Sequence, residues 1–142
     1  MSERPESESV VRGFSHIALA VREADPVAER LIDAFGGSRG DEEMLDDGAL
    51  RVVFVHLGPV TIELLEPRSE NHTVARFLAT RGPGIHHMSL EVVDIGTALA
   101  RAREAGVTPV DETARAGAHG SRVAFLHPRS LFSVLIELSQ SR

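Results

Sequence analysis

Two histidines and two glutamates stand where such side chains are costly. His16 lies in FSHIALAV and His87 in HHMSLEVV, Glu63 interrupts VTIELLEP, and Glu137 interrupts VLIEL, all largely apolar runs. An ionised carboxylate in an apolar strand is unfavourable unless it is paired or coordinates a metal. No lysine can neutralise either glutamate, since all 15 basic residues are arginine. Imidazole and carboxylate together suit a borderline or hard divalent ion, and four such ligands leave open positions in an octahedral shell, as a catalytic metal requires. Composition removes rival chemistries. Without cysteine there is no thiolate nucleophile, thiolate metal site or disulfide, and without lysine no Schiff base.

The elements that would position these residues occur twice. FSHIALAV (14–21) alternates as a strand, with Phe14, His16, Ala18 and Ala20 on one face. A helix follows, with Asp25 as its cap, Pro26 as its first residue, Val27, Leu31 and Ala34 as its apolar stripe, and Gly36-Gly37 as its stop. ALRVVFVHL (49–57) and PVTIELLEP (59–67) read as strands. After a short helix near 74–80, the order returns: HHMSLEVV (86–93), a helix capped by Asp94 and ended by Gly106, and strands near 107–111, 121–127 and 133–139.

The pattern is an α+β arrangement of two βαβββ modules, module one over 13–67, a linker over 68–83 and module two over 84–142. The polar, acidic residues 1–12 are expected to form a disordered tail. Laying HIALAV on HMSLEV superposes His16 on His87, and laying VTIELLEP on VLIELSQS superposes Glu63 on Glu137. Neighbours on a regular strand face opposite sides, so His87 is expected to face the site and His86 to face away. Ala18, Ala20 and Ser89 share the histidine face, and their small size leaves room for a cavity.

A net charge of −6 without a basic block gives no footprint for nucleic acid or an anionic membrane, which leaves a small molecule or a protein as partner. No apolar run approaches the roughly 20 residues of a membrane span. The literal G-x-S-x-G at 36–40 follows a helix and enters an acidic loop, the wrong context for a nucleophile elbow. The Asn71-His72-Thr73 sequon carries no meaning without a secretory context, and His56 and His72 give no signal by position.

The repeat with histidine on its first strands and glutamate on its last resembles the vicinal oxygen chelate superfamily. Within it, VTIELLEP, RGPGIHHMSLEVVDI, and RAGAHGSRVAFLHPRS followed by VLIEL resemble the methylmalonyl-CoA epimerases, from about Phe14 to Gln140. The resemblance implies a half-open barrel around one divalent ion (cobalt, manganese, magnesium, nickel or zinc), with His16, Glu63, His87 and Glu137 as metal ligands. It implies inversion of C2 of methylmalonyl-CoA by 1,1-proton transfer through a metal-stabilised enolate, with Glu137 as one of two catalytic bases. The second base falls in LDDGALRVVF: an ungapped count back from Phe54 gives Asp47, whereas aligning the glycine gives Asp46, and a solvated turn is the competing role.

His119, on a loop, is expected near the thioester or its pantetheine arm, or in a turn. An acyl-CoA substrate, a cytoplasmic location and, as one open assembly, a homodimer complete the expectation. The alternatives are a glyoxalase I-type lyase, a non-enzymatic small-molecule-binding protein of the same superfamily, and an ethylmalonyl substrate.

Overall fold

The structure is a computed structural model that describes residues 8–142. The alternation in FSHIALAV is realised in β1 (Val11–Ala20) from His16 onward, where His16, Ala18 and Ala20 are buried and Ile17 and Leu19 are half-buried. Phe14, expected on the same face, is exposed because the register shifts between it and His16. β1 takes in Val11 and Arg12, which the sequence reading assigns to the tail; residues 1–7 of that tail lie outside the described residues. Then come α1 (Ala24–Phe35), β2 (Ser38–Leu45), β3 (Leu50–Leu57) and β4 (Val60–Pro67). After α2 (Thr73–Arg81), the second half runs β5 (Gly84–Val92), α3 (Ile95–Glu104), β6 (Arg115–Ala116), β7 (Arg122–Leu126) and β8 (Ile136–Gln140).

The strands form one eight-stranded sheet in the order β2-β3-β4-β1-β5-β8-β7-β6. β1 and β5 pair antiparallel at its centre, and each has a parallel partner outside, β4 and β8 respectively. The register repeats: Glu63 pairs with Ala18, two residues beyond His16, and Glu137 pairs with Ser89, two residues beyond His87. The curled sheet with three helices is the half-open barrel that the resemblance implies.

Both faces of β3 are covered, which is why its sequence reads as a continuous apolar run. Val53 and Val55 pack with Leu64 against Ala24 and Ala28 of α1, while Val52 and Phe54 pack with Ala18, Ala20 and Leu65 near Val74 and Leu78 of α2. In the second half, Ile95, Ala98 and Leu99 of α3 cover Val92, Ala124, Leu126 and Leu138. Each fully buried Val, Leu or Ile contributes roughly 1.5–3 kcal/mol. Among the described residues no helix is long and apolar enough to cross a membrane.

Local chemistry corrects several sequence expectations. Glu23, not Asp25, holds the N-cap position of α1 and makes no side-chain cap; Asp25 binds Arg39 and Arg51 instead, at 2.6 and 3.0 Å. The apolar stripe of α1 is Ala24, Ala28, Val27, Leu31 and Ile32, and Ala34 is exposed. The expected acidic loop is β2, an edge strand whose charged side chains are tolerated because water reaches them. Residues 107–111 make only an isolated bridge, Pro109 to Leu126, and the strand beside β7 is the two-residue β6. β8 starts at Ile136 because Phe132 and Ser133 adopt left-handed φ of 56° and 72°.

Candidate metal centre and active site

His16, His87 and Glu137 converge from the three central strands β1, β5 and β8, with ligating atoms within 4.8 Å of one another. All three are at least nine-tenths buried. The imidazole rings stand edge to face at 5.5 Å. His16 Nε2 is 3.5 Å from Glu137 Oε1, and His87 Nε2 is 3.9 Å from Glu137 Oε2. His16 Nε2, His87 Nε2 and Glu137 Oε1 have no hydrogen-bond partner. Buried polar atoms without partners are rare, and a cation is one group that satisfies two imidazole nitrogens and a carboxylate oxygen together. The donor set therefore fits a divalent ion.

Two β-bulges aim the histidines. On β1 the register advances from Phe14–Leu90 to His16–Ser89, which leaves Ser15 as the extra residue. On β5 it steps from Ala18–His87 to Leu19–Ile85, which leaves His86 as the extra residue. A bulge redirects side chains out of strict alternation. Each extra residue then meets the δ nitrogen of the histidine after it: Ser15 Oγ lies 2.9 Å from His16 Nδ1, and His86 Nδ1 lies 2.8 Å from His87 Nδ1. The expectation that His86 faces away from His87 is thus corrected, since both line the same cavity. With Nδ1 engaged, Nε2 of each ring is the atom left for a ligand.

The electrostatics agree. Burial, reinforced by nearby His86 and His16, holds His87 well below the ordinary imidazole range, and burial pushes His86 down to about 4, so both rings are neutral. Burial lifts the Glu137 carboxyl to about 6, against the opposing effect of His16. Burial opposes protonation of His16 too, but the hydrogen bond and charge of Glu63 outweigh it and leave His16 raised. Glu63 itself lies with Oε2 2.9 Å from His16 Nδ1, on the other ring nitrogen from the one facing Glu137. It adjoins the three converging donors through His16.

These residues line a cavity of about 490 Å³ shared by both modules, with Leu45, Leu50, Val52, Leu65 and Val74 on one side and Val123, Phe125 and Ser139 on the other. Ala18 and Ala20, expected beside the cavity, are fully buried in the packing under α2, and Ser89 is fully buried too. Of the two candidate aspartates, Asp46 lines the cavity and Asp47 does not. Both have left-handed φ, 54° and 55°, in the turn between β2 and β3 closed by Gly48 N donating to Leu45 O. His119 lines the cavity from a loop after β6, stacked on Phe54 at 4.4 Å and bonded to Asp41.

Sequence reasoning gives Ser15 and His72 no part in the site and turns His86 the wrong way. Ser15 and His86 owe their place to bulges, which no alternation reveals. His72 binds Asp46 at 2.7 Å across 26 residues of chain, and its use as a helix cap, unusual for histidine, left no sequence signal.

A model of the Glyoxalase/Bleomycin resistance protein/Dioxygenase superfamily matches residues 15–125. An ethylmalonyl-CoA/methylmalonyl-CoA epimerase of Cereibacter sphaeroides is 36% identical over 129 residues, which cover 89% of this chain and 96% of that relative. The crystal structure of methylmalonyl-CoA epimerase from Mycobacterium tuberculosis superposes with a TM-score of 0.91 at 35% identity, over 96% of this chain and 93% of that one. A variant of the Streptomyces coelicolor methylmalonyl-CoA epimerase in complex with 2-nitronate-propionyl-CoA superposes at 0.86 with 29% identity, over 92% and 98%. With the repeated register and the buried His-His-Glu cluster, these likenesses place the chain in the glyoxalase/bleomycin resistance/dioxygenase superfamily, in its methylmalonyl-CoA epimerase family.

Proposed function

We propose that the protein inverts C2 of methylmalonyl-CoA by removing a proton from one face and returning one to the other. The observation that carries this reading is the convergence of His16 Nε2, His87 Nε2 and Glu137 Oε1, buried and without hydrogen-bond partners, in one cavity. A divalent ion held by these atoms would supply electrophilic stabilisation of the negative charge that develops on substrate carbonyl oxygens. Glu63, expected from the sequence as a fourth ligand, is assigned here to accepting the Nδ1–H of His16, which leaves the Nε2 lone pair free.

The C2 proton of a malonyl thioester is acidified by two flanking carbonyls, so a carboxylate is a competent base once it is dry and close. Glu137 meets the first condition by its burial. The opposite face needs a second carboxylate, and Asp46, which lines the cavity where Asp47 does not, is our assignment. The dimensions of the cavity suit the acyl end of an acyl-CoA, and the Cereibacter relative, named for both ethylmalonyl-CoA and methylmalonyl-CoA, makes the ethyl homologue the second substrate to test.

The test is C2 hydrogen exchange of each methylmalonyl-CoA epimer in deuterated water, on chelator-treated protein and again after cobalt, manganese or magnesium is added. Exchange of both epimers that depends on the ion is the expected result. No exchange with any ion would sink the proposal.

A further inference from the structure

We propose that His72 is a positioning residue that holds Asp46 in the geometry of a base, an inference that rests on the reading of Asp46 as the second proton-transfer group. The two nitrogens of His72 have different work. Nδ1 accepts the backbone N–H of Val74 at 3.1 Å and so caps the first turn of α2. An acceptor nitrogen carries no proton, so a neutral His72 carries its hydrogen on Nε2. That Nε2 lies 2.7 Å from Asp46 Oδ2 and donates to it.

The tautomer is therefore set by the helix, and the helix end is what aims a donor at the β2–β3 turn. Asp46 needs such a hold. It sits at a left-handed φ of 54°, followed by Asp47 at 55° and Gly48 at 85°, a backbone that only local bonds keep in one state. The His72 side chain is 12% exposed against 53% for Asp46, so a nearly buried ring anchors a half-exposed carboxylate at one oxygen. Asp46 Oδ1 has no hydrogen bond among the described residues and is the oxygen left to exchange a proton with substrate.

His72 itself is not the base, because its one lone pair is occupied by Val74 N–H. The arrangement resembles in logic a catalytic dyad read backwards: imidazole orients, carboxylate reacts. It draws the start of α2 and the turn after β2 onto one wall of the cavity.

Asparagine and glutamine separate the two jobs. In His72→Asn the amide oxygen stands near the Nδ1 position and can still cap Val74 N–H, but nothing reaches Asp46. In His72→Gln the amide nitrogen stands near the Nε2 position and can still donate to Asp46, but the cap is lost. The measurement is deuterium incorporation at C2 of each methylmalonyl-CoA epimer by the metal-loaded full chain. Asp46→Asn should slow one epimer by about 10² to 10⁴-fold and leave exchange of the other. His72→Asn should slow that same epimer about 10-fold or more, as loss of an orienting partner commonly does, with the other epimer unaffected, and His72→Gln should recover most of the loss.

Wild-type exchange of both epimers by Asp46→Asn overturns the assignment of the base and this proposal with it. An effect of Asp46→Asn without one of His72→Asn, or equal slowing by the asparagine and glutamine variants, overturns the positioning role alone. Nitrogen-15 spectra of the magnesium-loaded wild type give a readout independent of folding in the variants. A His72 signal pair of the Nε2–H tautomer supports the proposal, and the Nδ1–H tautomer refutes it.

Discussion

On the proposed assignment Glu137 both faces a cation and moves a proton, and the fold keeps it from water between two imidazoles on β1 and β5. Its raised value of about 6 and the raised His16 have one consequence. A metal competes with protons for both groups, so affinity is full above their folded-state values and falls as pH drops through them. Titration calorimetry with manganese should show affinity falling as pH is lowered through about 6, and affinity constant across that point would contradict the assigned ligands. Glu137→Gln should abolish exchange of both epimers, because a ligand and a base vanish together, whereas Asp47→Ala should exchange both like the wild type. The four His and Glu positions were legible in sequence because charge in an apolar strand is costly and because it recurs in both halves. The side of the His16 ring that Glu63 meets, and the choice between Asp46 and Asp47, depend on rotamers and on a turn with consecutive left-handed residues, which pattern does not encode.

At the scale of elements, strands buried on both faces announce themselves and edge strands do not. β3 and β4 were readable from their apolar runs, whereas SRGDEEML was readable only as acidic. What fastens β2 in place is Arg51 on β3: its guanidinium meets Glu42 of β2 at 2.5 Å, Asp25 of α1 at 3.0 Å and Glu66 of β4 at 3.3 Å. Glu66 is 9% exposed and also accepts Ala24 N–H at 2.8 Å, so the ion pair ties the start of α1 to the sheet. Removing one partner of a buried pair leaves the other charge stranded. Arg51→Ala should therefore cost about 3 kcal/mol in urea unfolding, the low end for such pairs because Arg68 also meets Glu66 at 2.9 Å. A loss within the scatter of surface substitutions, about 0.5 kcal/mol, would show that the network is ornamental to the fold.

Over the whole molecule, duplication was legible and closure was not. The sheet runs from β2 at one end to β6 at the other, yet the loop after β6 returns to β2 without any strand pairing. His119 makes that contact: its backbone N–H donates to Glu43 at 3.1 Å, its Nε2 lies 3.0 Å from Asp41 Oδ2, and its ring stacks on Phe54 of β3. The partners are 76 and 78 residues apart in the chain, beyond the reach of any local pattern. Because the ion pair is half exposed, its loss should cost little stability, about 1 kcal/mol or less. The cavity lies beneath it, so the larger effect should fall on substrate capture. His119→Ala should lower Tm by no more than about 4 °C while raising KM for the acyl-CoA and leaving kcat nearly unchanged. Hydrogen–deuterium exchange should quicken in two places only, Ser38–Leu45 and the Ala118–Gly120 turn, as the two ends of the sheet part. Faster exchange across the central β1–β5 pair instead would mean that His119 supports the core and not the mouth of the barrel. An unchanged KM would mean that the His119 contact has no part in substrate capture.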